Sequence, residues 1–345
     1  MKTYLLLLAL IGGQSYASFG QDWNKTPYQT KSLASDAIKD VAVNTAGGSI
    51  MVSGASGEAA RIEVFVTGNN GRELSKDEIK KRLDEDYILQ ISVNNHQLKA
   101  EAKRKHDGDW DWKRQLSISF KIYVPKQVAT HLNTSGGGIR LDNLTGQENF
   151  TTSGGSLNLN NLAGEIKGET SGGSIDIANS KDIINLETSG GNIHASNCQG
   201  KLKLETSGGS LHLESLSGSI NASTSGGNVS GSNIAGELIT GTSGGSVNLS
   251  RLSCSLDAST SGGNMNIEIL HAGKYVKLDI SGGNLSLKLP SKQGLDLNLN
   301  AERISASTAN AFSGTWEKDH VKGSINGGGI PVHAEVNGRL DLSFN

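Results

Sequence analysis

The sequence predicts an all-β protein: a right-handed parallel β-helix, or solenoid, of 18-residue coils, with one short helix in an N-terminal cap insertion. Three observations carry this. TSGG begins at Thr134, Thr152, Thr170, Thr188, Thr206, Thr224, Thr242 and Thr260, always 18 residues apart, and ISGG follows at Ile280. A fixed period with Gly-rich corners and no helical pattern inside it is the signature of a solenoid. Within each period, apolar residues alternate with polar ones in two short runs, the pattern of strands with one buried face. The 345 residues include 45 glycines and 4 prolines, with 5% aromatics, and their regular aliphatics and lack of a G-X-Y period exclude collagen and argue against disorder.

The chain opens on MKTYLLLLALIGGQSYA, in which one lysine, an apolar run from Leu5 to Ile11 and a small-x-small ending mark residues 1–17 as a signal peptide. The run is too short to span a bilayer, and nothing downstream approaches 18 consecutive apolar residues. The expected protein is exported, to the periplasm, cell surface or extracellular space, with no transmembrane segment. Its formal charge of −2, about −3 without Lys2, gives no electrostatic case for nucleic acid.

Residues 18–133 read as a strand-rich start of the β-helix. The coil begins at Ile38–Ser53, whose TAGGSI is a weak copy of the repeat, and an insertion follows. In it Ser75 and Glu78 form a capping box, with Ile79, Leu83 and Tyr87 on one face, predicting a helix over about 76–85. ARIEVFVTG, YILQISVNNHQLKAEAKR and LSISFKIYVP read as strands around it, and KHDGDWDWK as a turn.

Residues 134–310 are the repeat array. With Thr of TSGG as position one, position six holds Ile139, Leu157, Ile175, Ile193, Leu211, Val229, Val247 and Met265, all apolar. Position eight is apolar or small, and position fifteen holds Ile166, Ile184, Leu202, Ile220, Leu238 and Leu256. These columns face inward. The corners between them are Ser-Gly-Gly, where glycine admits positive φ, and Asn-x-x-Gly, where Asn tolerates the left-handed region and amides stack from coil to coil. At roughly 4.8 Å per coil the eight steps from Thr134 to Ser281 make a rod of about 38 Å. Cys198 lies in an inward column and Cys254 at a corner three coils away, about 14 Å along the axis, too far for a disulfide. Residues 311–345 supply the final coils and cap, with INGGGI at Ile325 as a second weak copy. Capping is needed because bare strand edges aggregate.

The SGG-[SN]-aliphatic coils, the preceding LSISFKIYVPKQVATHLNTSGG and the closing NGGGIPVHAEVNGRLDLSF together resemble the bacterial putative-adhesin family of β-strand-repeat domains of unknown function, in its exported Bacteroidetes form. The resemblance spans nearly all of the chain after residue 17. It implies a β-helix and an envelope or extracellular location, and it carries no catalytic motif or cofactor.

Three sets of residues merit attention as sites. Asp107, Asp109 and Asp111 alternate like half a calcium loop, but Trp112 and Ile118 stand where the glycine and the final acid belong. A charged turn with Trp110 and Trp112 exposed, able to touch sugar or a partner, is the simpler reading. Outward position seven lines up Arg140, Asn158, Asp176, His194, His212, Ser230, Asn248 and Asn266. Within that line Asp176, His194 and His212 are the candidate metal set, weighed against a plain solvated stripe. No clustered carboxylates suit glycan cleavage, and the Ser of SGG has no histidine in its coil to act as base. The expectation is a non-catalytic structural or adhesive protein without cofactor. It binds a glycan or envelope partner through a lateral face that includes Arg140, Asp176, His194 and His212, or through Trp110 and Trp112. A polysaccharide-active enzyme and a periplasmic sensor or scaffold are the alternatives.

Overall fold

The computed structural model describes residues 23–54, 59–105, 112–306 and 312–345. Residues 1–17, Asp107, Asp109, Trp110 and Asp111 lie outside the described residues. The fold is all-β with one α-helix among the described residues, and each repeat contributes a short and a long strand. Leu157–Asn160 and Ala163–Thr170 are one such pair. Each pairs in parallel with its equivalent 18 residues on, Leu157 with Ile175 and Ala163 with Lys181. In the short strand Leu157 and Leu159 are buried while Asn158 and Asn160 reach outward, so the period-two reading put the correct residues inside. The inward columns join one continuous aliphatic core, in which each fully buried Leu or Ile contributes about 1.5–3 kcal/mol.

The two corners work differently from each other. The Asn corner is left-handed as expected, with Asn143, Asn161, Asn179, Asn197 and Asn233 at φ between 53° and 59°, and Asn161 Nδ2 donates to Asn143 Oδ1 at 2.6 Å. Gly164, Gly200 and Gly236, three residues further on, also take positive φ, Gly200 at 121°. The Ser-Gly-Gly corner does not use positive φ at all. Its second glycine is required by stacking: a Cβ on Gly191 would lie 2.0 Å from the carbonyl oxygen of Gly173 in the preceding coil. The buried threonine completes this corner. Thr188 Oγ1 donates to Gly173 O at 2.8 Å and accepts from Gly191 N–H at 3.2 Å, and the same pair of bonds recurs from Thr152 to Thr260. One hydroxyl per coil thus satisfies two backbone groups that would otherwise be buried without partners.

Both ends depart from a simple spiral. Asp40–Thr45 and Ile50–Gly54 form a coil whose Thr45 and Ile50 align with Thr134 and Ile139. On their other side these strands pair in parallel with Gln97–Arg104 and Leu116–Val124. The first coil in sequence is therefore second in space, held between the cap strands and the array. The C-terminus mirrors this. Ile330–Phe344 pairs in parallel with the Met265–Ile280 and Leu285–Leu289 strands on one side and with Leu295–Ala306 on the other. The coil corner there is Val336–Leu340, aligned with Ile280–Leu285. INGGGI is instead a tight turn between His320–Ile325 and Ile330–Phe344, with positive φ at Asn326, Gly327, Gly328 and Gly329.

The cap helix, Lys76–Asp86, starts where the capping box placed it, with Ser75 Oγ accepting from Glu78 N–H at 3.2 Å. It buries Ile79 and Leu83. Tyr87 follows, buried, and its hydroxyl accepts from Leu116 N–H at 2.8 Å, tying the helix to the strand it covers.

Candidate functional site

Position seven forms one line. Arg140, Asn158, Asp176, His194, His212, Ser230, Asn248 and Asn266 are successive register partners across neighbouring coils. The short strands that carry them are fixed by the buried residues on either side, such as Leu211 and Leu213 around His212. Each outward side chain therefore sits on a rigid support.

The line is not uniform. At its start Arg140 Nε bonds Asp142 Oδ2 at 2.6 Å, which draws the guanidinium into an ion pair within its own coil. Asp176 Oδ1 lies 3.7 Å from His194 Nδ1, both half-exposed, and the rings of His194 and His212 meet edge to face at 6.5 Å. These three residues are adjacent but do not converge. Among the described residues no three His, Cys, Asp or Glu side chains are placed to hold one metal ion, so the candidate metal set reads as a row along the axis.

A serine–histidine contact crosses from coil to coil. His212 Nδ1 lies 2.6 Å from Ser230 Oγ, and Ser230 Oγ donates to Leu211 O at 3.2 Å. The contact ties the imidazole to the next coil, and the direction of its hydrogen bond follows the ring's tautomer. Reading histidines within a single coil missed this contact; the signal was the neighbouring letter in the same column.

The ground between Asp176 and Asn248 is a shallow open groove of about 710 Å³. Its walls include Asp176, His194, His212, Glu214, Ser230 and Asn248, and Gly231 lies in its floor. Gly231 occupies position eight, where the buried column has Leu213 one coil before and Leu249 one coil after. Neighbouring core side chains fill the space it leaves: a Cβ there would lie 2.9 Å from Leu249 Cδ2 and 3.0 Å from Ile234 Cδ1. Arg140 is not part of the groove wall. Trp112 is 60% exposed on a turn of the N-terminal cap, with Lys113 Nζ 6.0 Å from its ring centroid, and it too lies outside the groove wall.

One charged residue sits inside the rod. Glu148 occupies position fifteen, one coil before Ile166 in the aliphatic column, and is fully buried. Its Oε2 accepts from Thr130 Oγ1 at 2.6 Å while Oε1 has no protein partner. Burial pushes its pKa up to about 7, against a smaller lowering by the Thr130 hydroxyl. Cys198 and Cys254 are both buried and unpaired, as expected, and burial pushes the Cys254 thiol up to about 12.

No protein-family model and no curated protein matches the chain. Among solved structures it is similar to one from Clostridium sporogenes described as a "putative cell adhesion protein", at 12% identity over 92% of this chain and 98% of that one, with a TM-score of 0.22. That score is too low to carry an argument. No helix among the described residues is long and apolar enough to cross a membrane.

Proposed function

We propose that this protein is an exported, non-catalytic adhesive rod of right-handed 18-residue coils, akin to the adhesin-like repeat family. It holds a glycan or envelope partner in the lateral groove between Asp176 and Asn248. The observation that carries the reading is this groove: an open, rigid, polar concavity spread over five coils, suited to many weak contacts along a chain rather than to one deep pocket. The expected partner surface excludes Arg140, whose charge is engaged by Asp142.

Purified protein lacking residues 1–17 should be retained by envelope material or isolated polysaccharide and release no reducing ends or unsaturated products from it. Changing Asp176, His194 and His212 together to alanine should abolish retention while leaving the thermal midpoint in place. Retention unaffected by the triple change would move the contact surface, with Trp112 next to be tested, and turnover lost on changing a single groove residue would establish the enzyme instead.

A further inference from the structure

The groove has a chemical bias that narrows what fits it. Its carboxylates are Asp176 and Glu214, and no Lys or Arg lines it. In the column of Glu214, Glu268 is met by Lys288, and on the long strands Lys203 meets Glu205 and Lys277 meets Asp257. Asp176 has only the His194 ring beside it, at 3.7 Å. His212 and Ser230, in contact across one coil step, add further polar groups. The groove is therefore rich in acceptors and free of fixed cations, a field that attracts amines and rejects polyanions.

The direction of the groove argues for a sugar chain over a peptide. Its long dimension follows the rod axis, crossing five coils from Asp176 to Asn248, about 19 Å at coil spacing. The strands beneath run across that axis, and their backbone groups are spent on both neighbours in the parallel ladders. A peptide laid along the groove would find no free N–H or C=O to pair with, as β-augmentation requires. A chain of hydroxyl-bearing rings would meet a fresh polar side chain at each coil.

We infer that the groove binds a linear polysaccharide carrying free amino groups, of the glucosamine type, with Asp176 and Glu214 taking ammonium groups and the His212, Ser and Asn side chains taking hydroxyls. Asp176 and Glu214 stand two coils apart, since Asp176 pairs with His194 and Glu214 with Ser196 of the intervening coil. That is about 10 Å along the axis, so they address two different rings of one chain. The inference rests on the lateral-groove reading above.

Titration calorimetry with a glucosamine hexamer and its fully N-acetylated counterpart tests it. The wild-type protein should bind the amino form at least tenfold more tightly, and Asp176→Asn combined with Glu214→Gln should remove that preference. Both acids are at the surface, so unchanged circular dichroism and thermal midpoint will confirm that the variant folds. Equal binding of both oligomers, binding of neither, or a preference that survives the double change overturns the amine assignment. Tighter binding of an oligolysine of equal length would assign the groove to a basic peptide and overturn the saccharide. If envelope material is still retained and the triple alanine change still releases it, only the ligand class fails; if that retention also fails, the groove itself is wrong.

Discussion

Glu148→Gln should stabilise the protein at pH 8 and leave it nearly unchanged at pH 4.5. The buried carboxyl keeps its proton up to about pH 7, whereas in the unfolded chain it titrates near the ordinary 4.5. Below 4.5 both states are protonated and the residue adds no pH dependence. Between 4.5 and about 7 the unfolded chain releases the proton while the folded chain holds it, so stability falls as pH rises. Above 7 the loss is complete. At about 1.4 kcal/mol per pH unit it sums to about 3 kcal/mol. Glutamine keeps an acceptor for Thr130 Oγ1, which now donates at 2.6 Å, and cannot ionise. Urea midpoints of wild type and variant at the two pH values give the difference directly, because every other titrating group cancels. A gain of the same size at both pH values would refute the reasoning and mean that Glu148 is solvated or paired.

Three further outcomes follow from the packing. Leu211→Ala, which empties a fully buried site, should cost about 2–5 kcal/mol, and the adjacent exposed His212→Ala less than about 0.5 kcal/mol; equal shifts in urea midpoint would mean the faces are misassigned. Cys198 and Cys254 should be silent to a thiol reagent in the folded protein and react as two thiols in denaturant without reductant; immediate reaction of folded protein would contradict their burial. A chain ending at Asn326 should lose part of the hydrogen-exchange protection over Leu295–Asn300, because those residues keep His320–Ile325 on one side but lose Ile330–Phe344 on the other, while Ile139–Thr242 stays protected. Protection over Leu295–Asn300 unchanged at every amide would refute the interleaved C-terminus.

The array was legible because its physics is local and repeated. A buried face every second residue and a left-handed Asn every 18 residues leave their mark in the letters, and so does the capping box at Ser75. The ends were less so. Nothing in the letters of Asp40–Gly54 or Ile330–Phe344 says that a coil is inserted between two others, since parallel pairing joins segments far apart in sequence. The glycines of TSGG were recognised as corners for the wrong reason: they permit close stacking, and the buried threonine beside them satisfies the backbone. Glu148 and the His212–Ser230 contact were both visible in their columns. Glu148 precedes the run of aliphatics that defines position fifteen, and the contact joins letters 18 apart.

The lateral groove depends on the outward residues from Arg140 to Asn266 lying in one line, one coil per step. Pairs of spin labels in that column test this directly, with buried Cys198 and Cys254 remaining unlabelled in the folded protein. Asn158→Cys with Asn248→Cys spans five coil steps and Arg140→Cys with Asn266→Cys spans seven. At about 4.8 Å per step the backbone separations are about 24 and 34 Å, so pulsed electron–electron resonance should place the second pair about 10 Å further apart than the first. Indistinguishable distances, or a shorter second one, would contradict the stacked-coil register and the groove built on it.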